Sequence, residues 1–167
     1  MTTYVILAVL SGVAALGLAF FFAQQVNAVS QGNDRMVELA AAIREGAMAF
    51  LKREGQWVSV FVAVMAILIA TLLEDGWQRS IAYILGAALS FGAGFIGMRI
   101  ATAANARTTE AARTGGIVAA LPIAFRGGAV MGFTVAGLGL LGVSLGWLYL
   151  INVNGMAVDK AAEIIAA

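Results

Sequence analysis

Four arginines near the middle of the chain are the residues whose type and spacing come closest to a binding site. Arg99, Arg107, Arg113 and Arg126 lie between two apolar segments. Arginine binds phosphate groups through paired hydrogen bonds, and helix N-termini favour anions, so a phosphate-binding loop is one interpretation. The other is topological, because lysine and arginine accumulate on the cytoplasmic side of membrane proteins whatever their function. We favour the topological interpretation, since a Gly-Gly pair alone is a weak motif and the chain has no GxxxxGKS or GxxxxGKT sequence.

The composition limits what other chemistry the chain could perform. The chain contains no cysteine and no histidine, which removes disulfides, thiolate metal sites, imidazole catalysis and Ser-His triads. Hydrolysis of a phosphoanhydride needs clustered carboxylates that hold Mg²⁺, whereas the aspartates, Asp34, Asp75 and Asp159, are far apart in the sequence. The apolar segments contain no charged residue that could relay an ion. We therefore predict no catalytic, cofactor-binding or metal-binding residue in this chain.

The overall composition is that of an all-α integral membrane protein. Hydrophobic residues make up 62% and charged residues 11% of the chain, and the mean hydropathy is +0.94. A soluble domain has roughly a quarter of its residues charged. The formal net charge is only +1, and the sequence has neither a basic tail nor interleaved basic and aromatic residues, so we expect no nucleic-acid partner.

Four uncharged apolar segments predict four transmembrane helices, at about residues 4–23, 57–73, 80–98 and 129–150. The first is longer than the apolar core of a signal peptide, and no basic residue precedes it. Cytoplasmic helical extensions are predicted on the second and third spans. The extension of the second span is an amphipathic helix at about residues 34–56. The extension of the third span continues into a cytoplasmic loop at about residues 105–127 and ends at a Gly-Gly pair.

The distribution of basic residues predicts the orientation in the membrane. Eight of the ten lie in the segments between spans one and two and between spans three and four, whereas Arg79 and Lys160 lie on the other side. The positive-inside rule then places both termini outside and the basic loops in the cytoplasm. The helix that begins at Asp159 reaches Ala167 without a basic last turn or a glycine, which suggests that the sequence is truncated.

Small residues recur at helical spacing along the last two spans. Close approach of backbones at such faces supplies much of the association between membrane helices. The predicted helix-packing residues are Gly86, Ser90, Gly94, Gly97, Gly128, Gly132, Gly142 and Gly146.

Three ordered motifs resemble the ion-translocating membrane pyrophosphatases. They are EGAMAFLKRE at residues 45–54, GMRIATAANART at 97–108 and AFRGGAVMGF at 124–133. They are similar to the family's conserved run before its second segment and to its third and fourth segments. Gly55 stands where the family usually has tyrosine, and Pro122 is unusual. The residues that carry the resemblance are Glu45, Gly46, Arg53, Glu54, Asn105, Arg107 and Arg126. Taken alone, the charges at 45, 53 and 54 indicate a solvated helix face with pairs worth ~0.2–0.5 kcal/mol each, rather than a substrate site.

The resemblance implies that the chain is the N-terminal part of a larger pump in a prokaryotic inner membrane. Its parent, a hydrolase and translocase, would couple hydrolysis of Mg-pyrophosphate to outward movement of protons or sodium ions. Mg²⁺, with K⁺ as a further candidate, would serve the parent, which is expected to be a homodimer. In the family the aspartate-rich substrate motifs and the ion gate lie in later segments. The chain alone is therefore expected to be inactive, with the lipid bilayer and the remaining helices as its partners and pyrophosphate as the substrate of the parent.

The alternative is a free-standing four-helix membrane protein. It would act as an oligomeric channel subunit, or as an adaptor that docks through the cytoplasmic helix at residues 36–54. An enzyme complete within these residues has little support, because histidine, cysteine and paired acids are missing.

Overall fold

The computed structural model describes residues 2–166, which form α-helices joined by short turns. The helices are α1 (Thr2–Asn27), α2 (Asp34–Leu72), α3 (Gly76–Leu148) and α4 (Val158–Ala166), and a π-helical turn, Tyr149–Val153, follows α3. Within the described residues, three helical segments are long and apolar enough to cross a membrane, namely Thr3–Asn27, Asp34–Leu72 and Gly76–Val153. The prediction of an all-α membrane protein is confirmed.

Helix α3 is a hairpin that folds back at Gly116. The backbone there has φ 68° and ψ −167°, a conformation that is essentially restricted to glycine. Residues 76–115 form the first arm and residues 117–148 the second. A Cβ added to Gly127 would lie 2.8 Å from Ala104 Cβ, and one added to Gly142 would lie 2.7 Å from Leu89 Cδ1. Both pairs are centred on the Gly-Gly boundary, so the arms are antiparallel and pack against each other.

The segment predicted as a loop, residues 105–127, is helical on both sides of Gly116. Alanine, arginine and glutamate dominate residues 105–113, and these residues favour helix. A single glycine with positive φ reverses the chain, so a long loop is unnecessary. Pro122 lies in the second turn after the reversal, where it removes the hydrogen bond to the Val118 carbonyl, and this carbonyl belongs to an exposed residue.

Helix α1 packs against the second arm of the hairpin along a narrow face. Its buried residues Gly12, Ala19 and Val26 recur every seven positions, whereas most of its larger apolar side chains are exposed. Gly12 crosses Gly137, and a Cβ added to Gly137 would lie 2.9 Å from the Gly12 carbonyl oxygen. This Gly-Gly crossing lets the two backbones approach closely, which is how helices associate in lipid.

Helix α2 runs without interruption through its polar and apolar parts and lies antiparallel to the first arm. The Asn33 side chain caps its N-terminus by accepting a 3.0 Å hydrogen bond from the Met36 amide. A turn of residues 73–75, which contains Glu74 and Asp75, connects α2 to α3. Beyond the turn, the buried Ser80 hydroxyl donates a 2.9 Å hydrogen bond to the Ala66 carbonyl.

Helix α4 lies against the start of the hairpin, near the α2–α3 turn. Ala161 and Ile164 are almost fully buried and pack with Leu150. Two ion pairs join α4 to the segment around the turn, Lys160 with Asp75 at 2.7 Å and Arg79 with Glu163 at 3.1 Å. We call these two pairs the α4 clamp.

Candidate functional site

Arg107 is a charged residue of the hairpin that is buried, with only 7% of its surface exposed. Its Nε donates to the Val29 carbonyl at 3.0 Å, its Nη2 to the Asn27 carbonyl at 3.4 Å, and its Nη1 to the Ala103 carbonyl at 2.7 Å. A buried charge needs such partners, and a cation at the C-terminus of α1 also interacts favourably with the helix dipole. Arg107 therefore anchors the end of α1 to the hairpin.

The loop between α1 and α2 completes this anchor. Val29 packs against the buried residues Ala111, Ala120 and Ile123, which come from both arms beside Gly116. Gly32 has φ 91°, and a Cβ added there would lie 2.8 Å from Glu110 Oε2, so the loop approaches the hairpin closely. The end of α1, the loop and the folded tip of α3 are thus one packed unit.

The remaining arginines of the hairpin do not join Arg107 in one anion site. Arg113 is bound to Glu110 by two hydrogen bonds of 2.8 and 2.7 Å. Arg99 is exposed and Arg126 is half-buried. Because Arg107 and Arg113 are each committed to partners within the chain, the arrangement supports anchoring rather than recognition of phosphate by a cluster of four arginines.

The motif residues on α2 lie on an exposed surface. Glu45, Gly46, Arg53 and Glu54 are all exposed, and the Arg53 guanidinium lies 5.8 Å from the centre of the Trp57 ring. A cation over an aromatic ring at an exposed site contributes ~0.5–1 kcal/mol. Asn105 is also exposed, on the first arm of the hairpin. Arg107 is buried whereas Asn105 is exposed, so the structure does not bring these two side chains to a common partner.

The predicted packing residues separate into two groups. A Cβ added to Gly97 would lie 2.7 Å from Met131 Cγ, so Gly97, like Gly142, lies between the two arms of α3. The others face outward: Ser90 is exposed, a Cβ on Gly146 would reach only Ile165 at 4.0 Å, and a Cβ on Gly86, Gly94, Gly128 or Gly132 would meet no atom of the described residues within 4 Å. Packing of these outward residues on further helices stays a prediction.

The sequence interpretation missed the small residues that face inward. Gly12 and Gly137 form the crossing of α1 and α3, and Gly127 packs on Ala104. A signal was present, because the buried positions of the second arm recur at intervals of three and four: Ala120, Ile123, Gly127, Val130, Thr134 and Gly137. That spacing marks the buried face of a helix, and it is shifted by one residue from the Gly128 and Gly132 face.

Two open recesses lie between the arms of α3. One, of about 310 Å³, is lined by small and apolar residues that include Gly86, Ser90 and Gly139, together with Ile165 of α4. The other, of about 380 Å³, is more polar and includes Asn105, Thr108 and Gly128. Among residues 2–166, no three acidic side chains lie close enough together to hold a metal ion.

Comparison with known proteins identifies a family and several relatives. The family model described as "Inorganic H+ pyrophosphatase" matches residues 13–167. A K(+)-insensitive pyrophosphate-energized proton pump of Methanosarcina mazei is 45% identical over 135 residues, which are 81% of this chain and 20% of that protein. A K(+)-stimulated pyrophosphate-energized sodium pump of Thermotoga maritima is 41% identical over 135 residues, 80% of this chain and 18% of that protein. The chain thus spans about a fifth of the length of the curated relatives it matches.

Proposed function

The chain belongs to the inorganic H+ pyrophosphatase family, and from this membership we propose that it forms the N-terminal scaffold of a pyrophosphate-energised proton or sodium pump. The observation that carries the proposal is the family match over residues 13–167, with relatives about four times as long as this chain. The chain contributes helices that hold each other firmly and leave other faces open. Hydrolysis and ion movement take place in the remaining four-fifths of the pump.

We propose four membrane spans for this scaffold, one each from α1 and α2 and one from each arm of α3. The fold-back at Gly116 supports this assignment, because it turns one long apolar helix into two antiparallel arms. Helix α2 has 39 residues, or ~58 Å at ~1.5 Å per residue, which exceeds a ~30 Å hydrocarbon core. The excess is its polar part at residues 34–56, which extends into the cytoplasm. Both termini then lie outside a prokaryotic inner membrane.

Mg²⁺, the metal that the family implies, does not fit the residues described here. Two acidic side chains near the α2–α3 turn are already engaged, Asp75 with Lys160 and Glu163 with Arg79. No three acidic side chains among residues 2–166 are grouped as a metal site requires. We therefore assign no catalytic step to this chain. Metal, pyrophosphate, any K⁺ site and the ion gate are assigned to the rest of the pump, which we expect to be a homodimer.

The scaffold role follows from the contacts that hold the helices of the chain together. Arg107 fixes the end of α1, the Gly12–Gly137 crossing fixes its middle, and the α4 clamp fixes the end of the hairpin near the α2–α3 turn. The uncharged spans suit a wall in contact with lipid and with other helices.

The experiment begins with the open reading frame downstream of the codon for Ala167. The complete frame and residues 1–167 are expressed separately, and pyrophosphate hydrolysis and ion uptake are measured in inverted membrane vesicles with Mg²⁺. We expect hydrolysis and uptake from the complete product and neither from residues 1–167. A stop codon after Ala167 in intact genomic DNA would overturn the proposal in favour of a free-standing four-helix protein. Hydrolysis by residues 1–167 alone would contradict the scaffold role.

A further inference from the structure

The two recesses of α3 lie on one face of the hairpin. Ser90 in the first recess and Thr108 in the second are 18 residues apart, which is five complete turns of a helix. Gly146 and Gly128 on the second arm are separated by the same interval. The recesses therefore lie along one face of the hairpin, with Met131 packed on Gly97 between them, and we call the two recesses together the hairpin groove.

The opposite face of the hairpin is already covered. Arg107 donates a hydrogen bond to the end of α1, and it lies two positions from Asn105 of the groove. Gly137 packs against the middle of α1, and it lies two positions from Gly139 of the groove. Two positions along a helix differ by about 200°, so these neighbours point in nearly opposite directions. The first arm is flanked by α2 through the hydrogen bond from Ser80 to Ala66. The groove is the side of α3 that no helix within residues 2–166 fills.

The lining of the groove suits a helix better than a lipid chain. Gly86, Ser90, Gly128 and Gly139 are exposed, and among residues 2–166 no atom lies within 4 Å of a Cβ added to any of the three glycines. Small residues allow another backbone to approach closely, which a flexible acyl chain does not require. The groove extends from residue 86 to residue 108 of the first arm, ~33 Å at ~1.5 Å per residue, which matches a membrane-spanning helix.

Helix α4 lies at one end of the groove, and its position bears on which helix occupies the groove. Ile165 contributes to the first recess, and a Cβ added to Gly146 would lie 4.0 Å from Ile165 Cδ1. The α4 clamp holds this helix in place through Lys160 and Arg79. Relatives that carry a matching segment are more than four times as long as this chain, so their further helices need positions around it.

We propose that the hairpin groove is the docking site of a transmembrane helix from the remainder of the pump, which follows α4 and enters the groove beside Ile165. The proposal rests on the proposed function, since it requires the remaining helices to exist. The docked helix carries small residues on the side that faces Gly86, Ser90 and Gly139, so that the two backbones meet closely. It also presents polar groups to Asn105 and Thr108 at the far end.

Photo-crosslinking in the complete pump tests the occupant directly. The probe, p-benzoyl-phenylalanine, replaces Leu85, which lines the groove and is 59% exposed, and in a matched control it replaces Leu10 on α1, which is 60% exposed. After irradiation of native membranes, mass spectrometry identifies the adducts. We expect the probe at position 85 to attach to a peptide downstream of residue 167 in the same chain, and the control to attach mainly to lipid. Adducts only to lipid, or only to a differently tagged second copy, would overturn the proposal.

A groove-filling variant supplies an independent readout. Gly139→Leu places a large side chain in the groove at a position where an added Cβ meets no atom of residues 2–166 within 4 Å, and Gly17→Leu makes the same change at such a position on α1. We expect Gly139→Leu to lose most of the assembled pump and Gly17→Leu to retain it. Equal yields would contradict docking at the groove. Pyrophosphate hydrolysis by the unmodified complete pump is measured in parallel, so that failure of the groove is distinguished from failure of the proposed function.

Discussion

Arg107 shows at the scale of a single residue how one side chain can fix two helices. Its guanidinium reaches three backbone carbonyls in different segments, and only a planar group with several donors can do this. We expect Arg107→Lys to lower the free energy of unfolding by about 1–3 kcal/mol, because an ammonium group cannot keep all three hydrogen bonds. Thermal denaturation of the purified protein in mild detergent provides the measurement. Arg99→Lys, at an exposed position, is the control and should leave the transition unchanged.

Gly116 is the other residue on which the fold of α3 depends. With φ 68° and ψ −167°, it adopts a conformation that a side chain strains by about 1–3 kcal/mol. Gly116→Ala should therefore lower the unfolding temperature and favour a straight, misfolded α3. Gly17→Ala is the matched control, since an added Cβ meets no neighbour among residues 2–166 and alanine is the better helix former. A Gly116→Ala protein as stable as this control would show that the reversal does not need glycine.

These two residues also mark what the sequence could and could not predict. The Gly-Gly pair indicated the end of a helix, but its ability to reverse the chain in one residue depends on a backbone conformation that composition does not specify. The sequence does not predict the anchoring role of Arg107, because its partners, Asn27 and Val29, are some 80 residues away in the sequence. A side chain that binds backbone carbonyls leaves no residue-type signature at those positions.

At the scale of elements, the crossing of α1 and α3 is the contact most sensitive to volume. A Cβ on Gly137 would lie 2.9 Å from the Gly12 carbonyl oxygen, a backbone atom that cannot move without the whole helix. We expect Gly137→Ala to separate the helices and destabilise the protein by about 1–3 kcal/mol. Resistance to unfolding in increasing dodecyl sulfate is a suitable measurement. Gly46→Ala, on an exposed face of α2, should have no such effect.

The α4 clamp should make the stability of the protein depend on pH. A hydrogen bond and the negative charge of Asp75 raise the pKa of Lys160 above its ordinary value. A raised lysine pKa means that the stabilising pair is fully present below the ordinary value of about 10.5, and that it is lost as the pH rises through the folded-state value. Lys160→Met should therefore be less stable than the unmodified protein at pH 8, with the difference vanishing at strongly alkaline pH. A difference that persists there would mean that Lys160 acts through packing rather than charge. Lys52→Met is the control.

The elements themselves were largely predictable, because long apolar runs and amphipathic spacing are strong local signals. Helix α2 covers the residues predicted as an amphipathic helix and a second span, and α4 begins within one residue of the predicted start at Asp159. Which face of a helix is buried was harder to predict. In a membrane both faces can be apolar, so hydrophobicity does not distinguish Gly127 from Gly128 or Gly137 from Gly139, and only the three-and-four spacing of the buried positions does.

At the scale of the whole molecule, similarity does not favour one transported ion over another. The chain is 45% identical to a K(+)-insensitive proton pump and 41% identical to a K(+)-stimulated sodium pump over segments of equal length. A segment that selected the ion would be expected to resemble one class clearly more than the other. The near equality agrees with a wall whose residues contact lipid and other helices.

A chimeric pump turns this observation into a prediction. Residues 13–167 of the complete pump are replaced by the matching segment of the Thermotoga maritima sodium pump. The proposed function assigns the ion and K⁺ sites to the rest of the molecule, so the chimera should keep the ion and the K⁺ response of its parent. Mismatched packing at the hairpin groove is expected to reduce only its yield. Sodium uptake and acidification in inverted vesicles, each measured with and without K⁺, give the readout. A chimera that acquired the donor's ion or K⁺ response would assign selectivity to these helices and would contradict a purely structural role. Helices with a purely structural role can lower the activity of a pump, but they do not change which ion it transports.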